Sequence, residues 1–98
     1  MTINKELKGD ALTVCLEGRL DTVTSPDLEA ARKGSMDSAN TLTLDLEKLE
    51  YMSSAGLRVL LSAQKQMSKK GGMTVTNVNE TIMEIFEVTG FSDILTIA

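Results

Sequence analysis

Two adjacent serines, Ser53 and Ser54, lie where a strand pattern gives way to a helix pattern. Before them, residues 41–46 alternate polar and apolar side chains as a half-buried strand does. After them, Leu57 and further apolar residues recur at three- and four-residue spacing, as on one face of a helix. A serine at a helix start can accept a hydrogen bond from the free N–H groups of the first turn. The same end favours negative charge, so the junction predicts a capped helix start that could also carry a phosphoserine.

The amino-acid composition excludes several kinds of site. The 98 residues include no histidine, so neither a Ser-His-Asp triad nor a His-containing zinc site can form. We therefore expect that the protein is not an enzyme and that it binds neither a metal nor a cofactor. The single cysteine, Cys15, excludes an intrachain disulfide, and its mid-strand position predicts a buried, inert thiol. The net charge of −4 argues against a nucleic-acid partner.

The length and hydropathy of the chain predict one cytoplasmic domain covering residues 1–98. A chain of this size buries one core and no more. No apolar run approaches the roughly 18–20 residues that a membrane span needs. The first residues lack the basic start and apolar block of a signal peptide. The only basic cluster, Lys65, Lys69 and Lys70, falls near a predicted helix end and is interpreted as solvated there.

Strand and helix periodicities alternate along the chain. A short turn joins the first two strands into an antiparallel hairpin. Helices of about a dozen residues separate the later strands, which implies parallel pairing through right-handed crossovers. We expect an α/β fold with a mixed sheet of four to five strands packed with three helices, in an order that the pattern leaves open. The predicted strands are residues 2–7, 11–17, 41–46, 73–78 and 94–97, and the predicted helices are residues 25–37, 54–69 and 80–89.

Local signals place the helix ends and the core. Ser25 is expected to cap the first helix with Pro26 in its first turn, and Asn79 to cap the third. Gly90 suits the left-handed position that often follows a helix. The inward-facing residues are expected to be Leu12, Val14, Leu16, Leu28, Ala31, Met36, Leu42, Leu44, Leu46, Ile82, Ile85 and Phe86.

The loops that follow the parallel strands should share one edge of the sheet. These loops are residues 19–25, 50–54 and 77–80. In open α/β sheets this edge is where ligands and partners usually bind. The polar residues expected to meet there are Asp21, Thr22, Thr24, Ser53, Ser54 and Asn79.

Three segments of the chain resemble the STAS domain, in particular bacterial anti-sigma factor antagonists. Residues 18–24 are similar to the Gly-x-Leu-Asp loop of that family, and residues 88–91 to the close of its third helix. Residues 51–57, which follow Leu-Asp-Leu at 44–46, resemble its phosphorylation loop. The resemblance implies that the unphosphorylated protein binds an anti-sigma factor, itself a serine kinase, and releases the sigma factor. Phosphorylation would end this binding, and a PP2C-type phosphatase would restore it.

The resemblance assigns residue roles by position. Ser54 is the implied phosphate acceptor, with Ser53 as the alternative, because many members carry aspartate where this chain has Ser53. The family's usual C-terminal helix is not found after Ala98. From their place at the shared sheet edge and the start of the second helix, the residues expected to bind a partner are Asp21, Thr22, Thr24, Ser53, Ser54, Ala55, Gly56, Leu57 and Arg58.

Several alternatives stay open from the residues alone. Asp21 either contacts a partner or bonds its own turn, and Asp45 is interpreted as a structural carboxylate. For Arg58 the alternatives are an ion pair with a phosphate or with an acid of a partner, or a side chain that is only solvated. The alternative function is a STAS scaffold module that binds in a signalling complex without phosphorylation. A nucleotide-hydrolysing protein is disfavoured, since the chain has no phosphate-binding Gly-rich loop.

Overall fold

The computed structural model describes residues 1–35 and 38–98. Five strands form one sheet in the order β1-β2-β3-β4-β5, in which β1 is antiparallel to β2 and the other neighbours are parallel. The predicted mixed sheet with an N-terminal antiparallel hairpin is confirmed. The elements are β1 Thr2–Lys8, β2 Ala11–Leu20, α1 Ser25–Ser35, β3 Thr41–Met52, α2 Ser54–Met67, β4 Gly72–Thr76, α3 Glu80–Thr89 and β5 Thr96–Ile97, with a short 3-10 turn, Phe91–Asp93, after α3.

The parallel register aligns apolar side chains across the sheet. Leu42 of β3 pairs with Leu12 of β2 and Met73 of β4, and all three are buried. Because side chains alternate between faces along a strand, the row two residues further on is buried in the same way. Leu28 of α1 and Leu60 of α2 complete the same buried cluster. The helices therefore cover the apolar face that the alternation in the sequence predicts.

Most of the residues expected in the core are buried, with three exceptions. Ile85 is half-buried, because the face of α3 that meets the core carries Ile82 and Phe86, four residues apart. Ala31 is also half-buried and lies at the seam between α1 and α2. Met36, like the predicted end of the first helix at residue 37, lies outside the described residues.

Strands β2 and β3 are longer than predicted. They run on to Leu20 and Met52, so the strand ends predicted at residues 17 and 46 are wrong. The two strands stay paired through two register shifts, at each of which β3 contributes one residue more than β2. Such a bulge breaks the alternation, and buried side chains of β3 then follow at a spacing of three, Leu46, Leu49 and Met52. Because the period of two is lost after Leu46, the sequence pattern does not predict the second half of β3.

Other element ends differ by a few residues. The predicted strand 73–78 is β4, Gly72–Thr76, because Asn77 adopts a φ of +55°, which a strand cannot continue. Helix α2 ends at Met67, two residues before the predicted end. Strand β5 omits residues 94 and 95, which belong to the turn after α3. The left-handed Gly90 that closes α3 is confirmed, with a φ of +81°.

Cys15 is half-buried, so the prediction of a buried thiol is wrong. It lies on β2 between the inward-facing positions, and its Sγ donates to Asp45 Oδ2 at 3.9 Å. Burial first, and then the negative charge of Asp45, raise the pKa of Cys15 and favour the protonated thiol. Asp45 Oδ1 also accepts from the backbone N–H of Glu47 at 3.0 Å and from Asn77 Nδ2 at 3.1 Å. These bonds give Asp45 the structural role predicted for it.

None of the helices in the described part of the chain is both long enough and apolar enough to cross a membrane.

Candidate functional site

The two serines at the start of α2 differ in their surroundings. Ser53 is the N-cap, with extended backbone angles (φ −90°, ψ 174°), and its Oγ accepts from the N–H of Gly56 at 3.5 Å. Ser54 is the first helical residue and is exposed, whereas Ser53 is half-buried. One hydroxyl is therefore committed to the helix end, and the other faces solvent.

Helix α2 begins directly against the end of β2. The backbone N–H of Ser53 donates to the carbonyl oxygen of Leu20 at 2.8 Å. Gly56 is buried at this contact, and a Cβ added to it would lie 2.7 Å from Leu20 Cγ and 3.0 Å from Met52 Cγ. A glycine at this position thus lets α2 approach the sheet closely, and that approach brings the serines to the loop after β2.

The loop after β2 is a compact turn built around Asp21. Its Oδ1 accepts from the N–H groups of Val23 and Thr24, at 3.0 and 3.1 Å. Thr24 Oγ1 accepts from the N–H of Asp21 at 2.9 Å and donates to the carbonyl of Arg19 at 2.8 Å. The bond from the Thr24 N–H is the largest cause that holds the pKa of Asp21 below its usual value. Of the two roles considered for Asp21, the structure shows the one in which its side chain bonds its own turn. Thr22, the next residue, is exposed.

The first helix is not capped by Ser25 as predicted. Ser25 is the first residue of α1, and its Oγ is buried with no hydrogen-bond partner among the described residues. The residue before the helix is Thr24, whose carbonyl accepts from the N–H of Asp27 at 3.0 Å. The hydroxyl of Thr24 is committed to the Asp21 turn, so it does not cap the helix either.

Asn79 fixes the third loop at the same edge of the sheet. Its Oδ1 accepts from the N–H of Ile82 at 2.9 Å, which confirms the predicted cap of α3. Its Nδ2 donates to the carbonyl of Leu49 in β3 at 2.8 Å. No pattern in the sequence predicts the second bond, because Leu49 lies beyond the predicted end of its strand.

Two shallow grooves flank the start of α2. The α1–α2 groove is lined by Thr22, Ser25, Pro26, Glu29, Ala55, Arg58, Val59 and Ser62. The α2–α3 groove is lined by Tyr51, Met52, Ser53, Ser54, Leu57, Thr81, Glu84, Ile85, Val88 and Thr89. Ser54 belongs to the second groove, and Ala55, the next residue, to the first.

The α2–α3 groove exposes apolar side chains that sequence reasoning did not assign to the site. Val88 is 81% exposed and Tyr51 is 38% exposed. The guanidinium of Arg19 lies 4.6 Å from the centre of the Tyr51 ring, which links this groove to the end of β2. Val88 could have been found from its place off the stripe of α3 that carries Ile82 and Phe86, since an apolar residue there must face outward.

The sequence-predicted site residues are therefore brought to one edge, with unequal exposure. Thr22, Ser54 and Arg58 are exposed, and Asp21, Thr24, Ser53 and Ala55 are half-buried. Gly56 and Leu57 are buried, although Leu57 lies at the base of the α2–α3 groove. Within the described residues, no three acidic, cysteine or histidine side chains are grouped so that they could hold a metal ion.

Comparisons with known proteins match nearly the whole chain. A family model described as "Mlab, STAS domain" matches residues 3–96. The chain is 35% identical over 89 residues to BtrV of Bordetella bronchiseptica, which covers 89% of this chain and 77% of BtrV. It is 29% identical to the anti-sigma-B factor antagonist of Bacillus subtilis, over all of this chain and 93% of that protein. The crystal structure of an anti-sigma factor antagonist from Mycobacterium paratuberculosis superposes with a TM-score of 0.88 at 27% identity, covering 98% of this chain and 83% of the other.

Proposed function

Because the chain belongs to the STAS domain family, we propose that it is an anti-sigma factor antagonist whose binding is switched off by phosphorylation of Ser54. The observation that carries the proposal is the division of roles between the two serines. Ser53 caps α2, and Ser54 offers an exposed hydroxyl beside an apolar groove. A kinase needs such an exposed hydroxyl, and Ser53 is the weaker candidate because its oxygen is engaged.

The proposed partner surface is the α2–α3 groove together with the loop after β2. Val88 and Tyr51 supply apolar area that is exposed in the free protein. Thr22 and Arg58 extend the surface on the side of α1. The Asp21 turn holds this edge in shape through its own hydrogen bonds. In this proposal the remaining residues assigned from the sequence shape the surface or lie at its base. They are Thr24, Ala55, Gly56 and Leu57.

The physical basis of the switch is a charge placed where a partner must pack. A phosphate adds about −1.5 to −2 charges and three acceptor oxygens. At the first residue of a helix the free N–H groups tolerate this charge, so the fold should persist. A partner packed over Ser54 would instead have to remove this dianion from water, which costs several kcal/mol. A penalty of about 3 kcal/mol already weakens binding by about 150-fold.

The partners follow from the same proposal. The unmodified protein would bind an anti-sigma factor with serine kinase activity in the cytoplasm, and a PP2C-type phosphatase would remove the phosphate. The chain itself would bind and regulate without catalysing a reaction. These assignments are supported by the resemblance of residues 51–57 to the phosphorylation loop of the family.

The proposal is tested by placing phosphoserine at position 54 during translation and measuring affinity for an anti-sigma factor kinase encoded in the same genome. Isothermal titration should show binding by the unmodified protein and by Ser54→Ala. The phosphorylated form should bind about 100-fold more weakly or worse, with an unchanged circular dichroism spectrum. Equal binding by both forms would contradict the switch and favour a scaffold module.

A further inference from the structure

Among the described residues Arg58 has no partner, unlike the other two arginines of the chain. Arg19 lies over the Tyr51 ring, and Arg32 bonds to Glu29 and to a side chain of α2. Arg58 is exposed and has no hydrogen bond, ion pair or ring contact with the described residues. A guanidinium that pairs with none of the described side chains therefore lies on the outer face of α2, next to the proposed switch.

The helix geometry sets Arg58 next to Ser54. Helix α2 runs unbroken from Ser54 to Met67, and Arg58 is four residues after Ser54. Side chains four residues apart in a helix lie on the same face, with Cβ atoms about 5–6 Å from each other. Glu29, the acid that shares the α1–α2 groove with Arg58, is bonded to Arg32. No acid in the described residues therefore competes for the Arg58 guanidinium.

We propose that Arg58 closes onto the phosphate of phosphorylated Ser54, forming an ion pair within α2 that the unmodified protein lacks. The inference rests on the proposed function, which supplies the phosphate. The planar guanidinium can donate two parallel N–H bonds to two phosphate oxygens. Phosphorylation then changes the surface twice, because it adds an anion at Ser54 and withdraws a free cation from the edge of the α1–α2 groove.

The ion pair predicts a measurable property of the phosphate. A neighbouring cation favours the dianion, so it lowers the second pKa of the phosphoserine, which is ordinarily about 6. Phosphoserine is placed at position 54 during translation, and the phosphate is titrated by ³¹P NMR. Arg58→Gln should raise the second pKa by about 0.3 units, as expected for an exposed pair one helical turn apart. Arg58→Lys, which keeps the charge but not the planar fork, should recover part of this shift.

Lys65→Gln is the matched control. Lys65 is exposed on the same helix, eleven residues after Ser54, and loses the same charge. At about 1.5 Å per residue it lies about 16 Å away, beyond the Debye length of about 8 Å at physiological salt. Lys65→Gln should therefore leave the phosphate pKa unchanged. Equal pKa values in Arg58→Gln and Lys65→Gln would overturn the proposed ion pair.

The measurement separates this inference from the proposed function. Because the phosphoserine is installed during translation, the titration needs neither kinase nor partner. A raised phosphate pKa in Arg58→Gln supports the ion pair even if the kinase leaves Ser54 unmodified. Failure of the kinase to modify Ser54 would contradict the proposed function and would leave the ion pair untouched. Both variants change exposed side chains, so the fold should be retained, and thermal unfolding of each variant checks this.

Discussion

The backbone N–H of Ser53 donates to the carbonyl oxygen of Leu20 at 2.8 Å. One hydrogen bond thus joins the residue that caps α2 to the last residue of β2, where the Asp21 turn begins. The exposed hydroxyl of Ser54 and the turn are therefore held at a fixed separation. The proposed switch, in which a partner binds this edge and a kinase modifies Ser54, needs such a fixed arrangement.

The close packing of α2 predicts a cost for replacing Gly56. In Gly56→Ala the new Cβ would lie 2.7 Å from Leu20 Cγ, inside the fully buried core. Overpacking of this kind costs about 1–3 kcal/mol, and the better helix propensity of alanine offsets about 1 kcal/mol. Urea unfolding should show a free energy of unfolding lower by about 1 kcal/mol. Ser62→Ala, at an exposed position of the same helix, should change it by less than about 0.5 kcal/mol. Equal stability of the two variants would refute this packing.

The Asp21 turn predicts a pH-dependent contribution to stability. The N–H of Thr24, and then that of Val23, favour the carboxylate and lower the pKa of Asp21 in the folded state. A lowered pKa stabilises the folded protein above the unfolded-state value of about 3.9, and this contribution is lost as the pH falls through the folded value.

The corresponding measurement is thermal unfolding of the wild type and Asp21→Asn. Asparagine can still accept from the turn N–H groups, but it does not titrate. The wild type should unfold at the higher temperature at about pH 6, and the difference in unfolding temperature should narrow as the pH falls below about 4. Asp10→Asn, in the exposed turn after β1, serves as the control. A difference that stays constant with pH would show that the carboxylate charge does not stabilise the turn.

Asn79 makes two bonds that substitutions can separate. Asn79→Ser keeps an oxygen that can cap α3 but loses the donor to the carbonyl of Leu49, and Asn79→Ala loses both bonds. Loss of a cap costs about 1 kcal/mol, and loss of a donor to a shielded carbonyl costs about 1 kcal/mol more. The free energy of unfolding should fall from wild type to Asn79→Ser to Asn79→Ala. Equal values for serine and alanine would show that the side chain does not cap the helix.

The α2–α3 groove predicts a selective loss of partner binding. Val88→Gln replaces an exposed apolar side chain without touching the core. Burial of a valine side chain contributes about 1.5 kcal/mol, so affinity for the anti-sigma factor should fall about 10-fold. Leu7→Gln, at a 49% exposed position of β1, should leave the affinity unchanged. Unchanged affinity in Val88→Gln would show that the partner does not bind in the α2–α3 groove.

The sequence predicts the elements whose apolar residues recur at a regular spacing. It does not predict features that depend on how two distant segments of the chain pair. The alternation in residues 41–46 and the helical spacing after Ser54 predict the elements and much of the core correctly. The extensions of β2 and β3 were missed because the register shifts between them break the period of two. The cap at Asn79 was predictable from one residue type, whereas its bond to Leu49 depends on where two distant segments meet. The exposure of Val88 could have been predicted from the spacing of Ile82 and Phe86, but the groove that it lines depends on how α2 and α3 pack.

We propose that Ser54, and not Ser53, receives the phosphate. Incubation with the anti-sigma factor kinase and ATP, followed by intact and peptide mass spectrometry, tests it most directly. One added phosphate is expected on Ser54, and it should be abolished in Ser54→Ala and retained in Ser53→Ala. A phosphate located on Ser53, or no added mass under conditions where the kinase binds the protein, would contradict it.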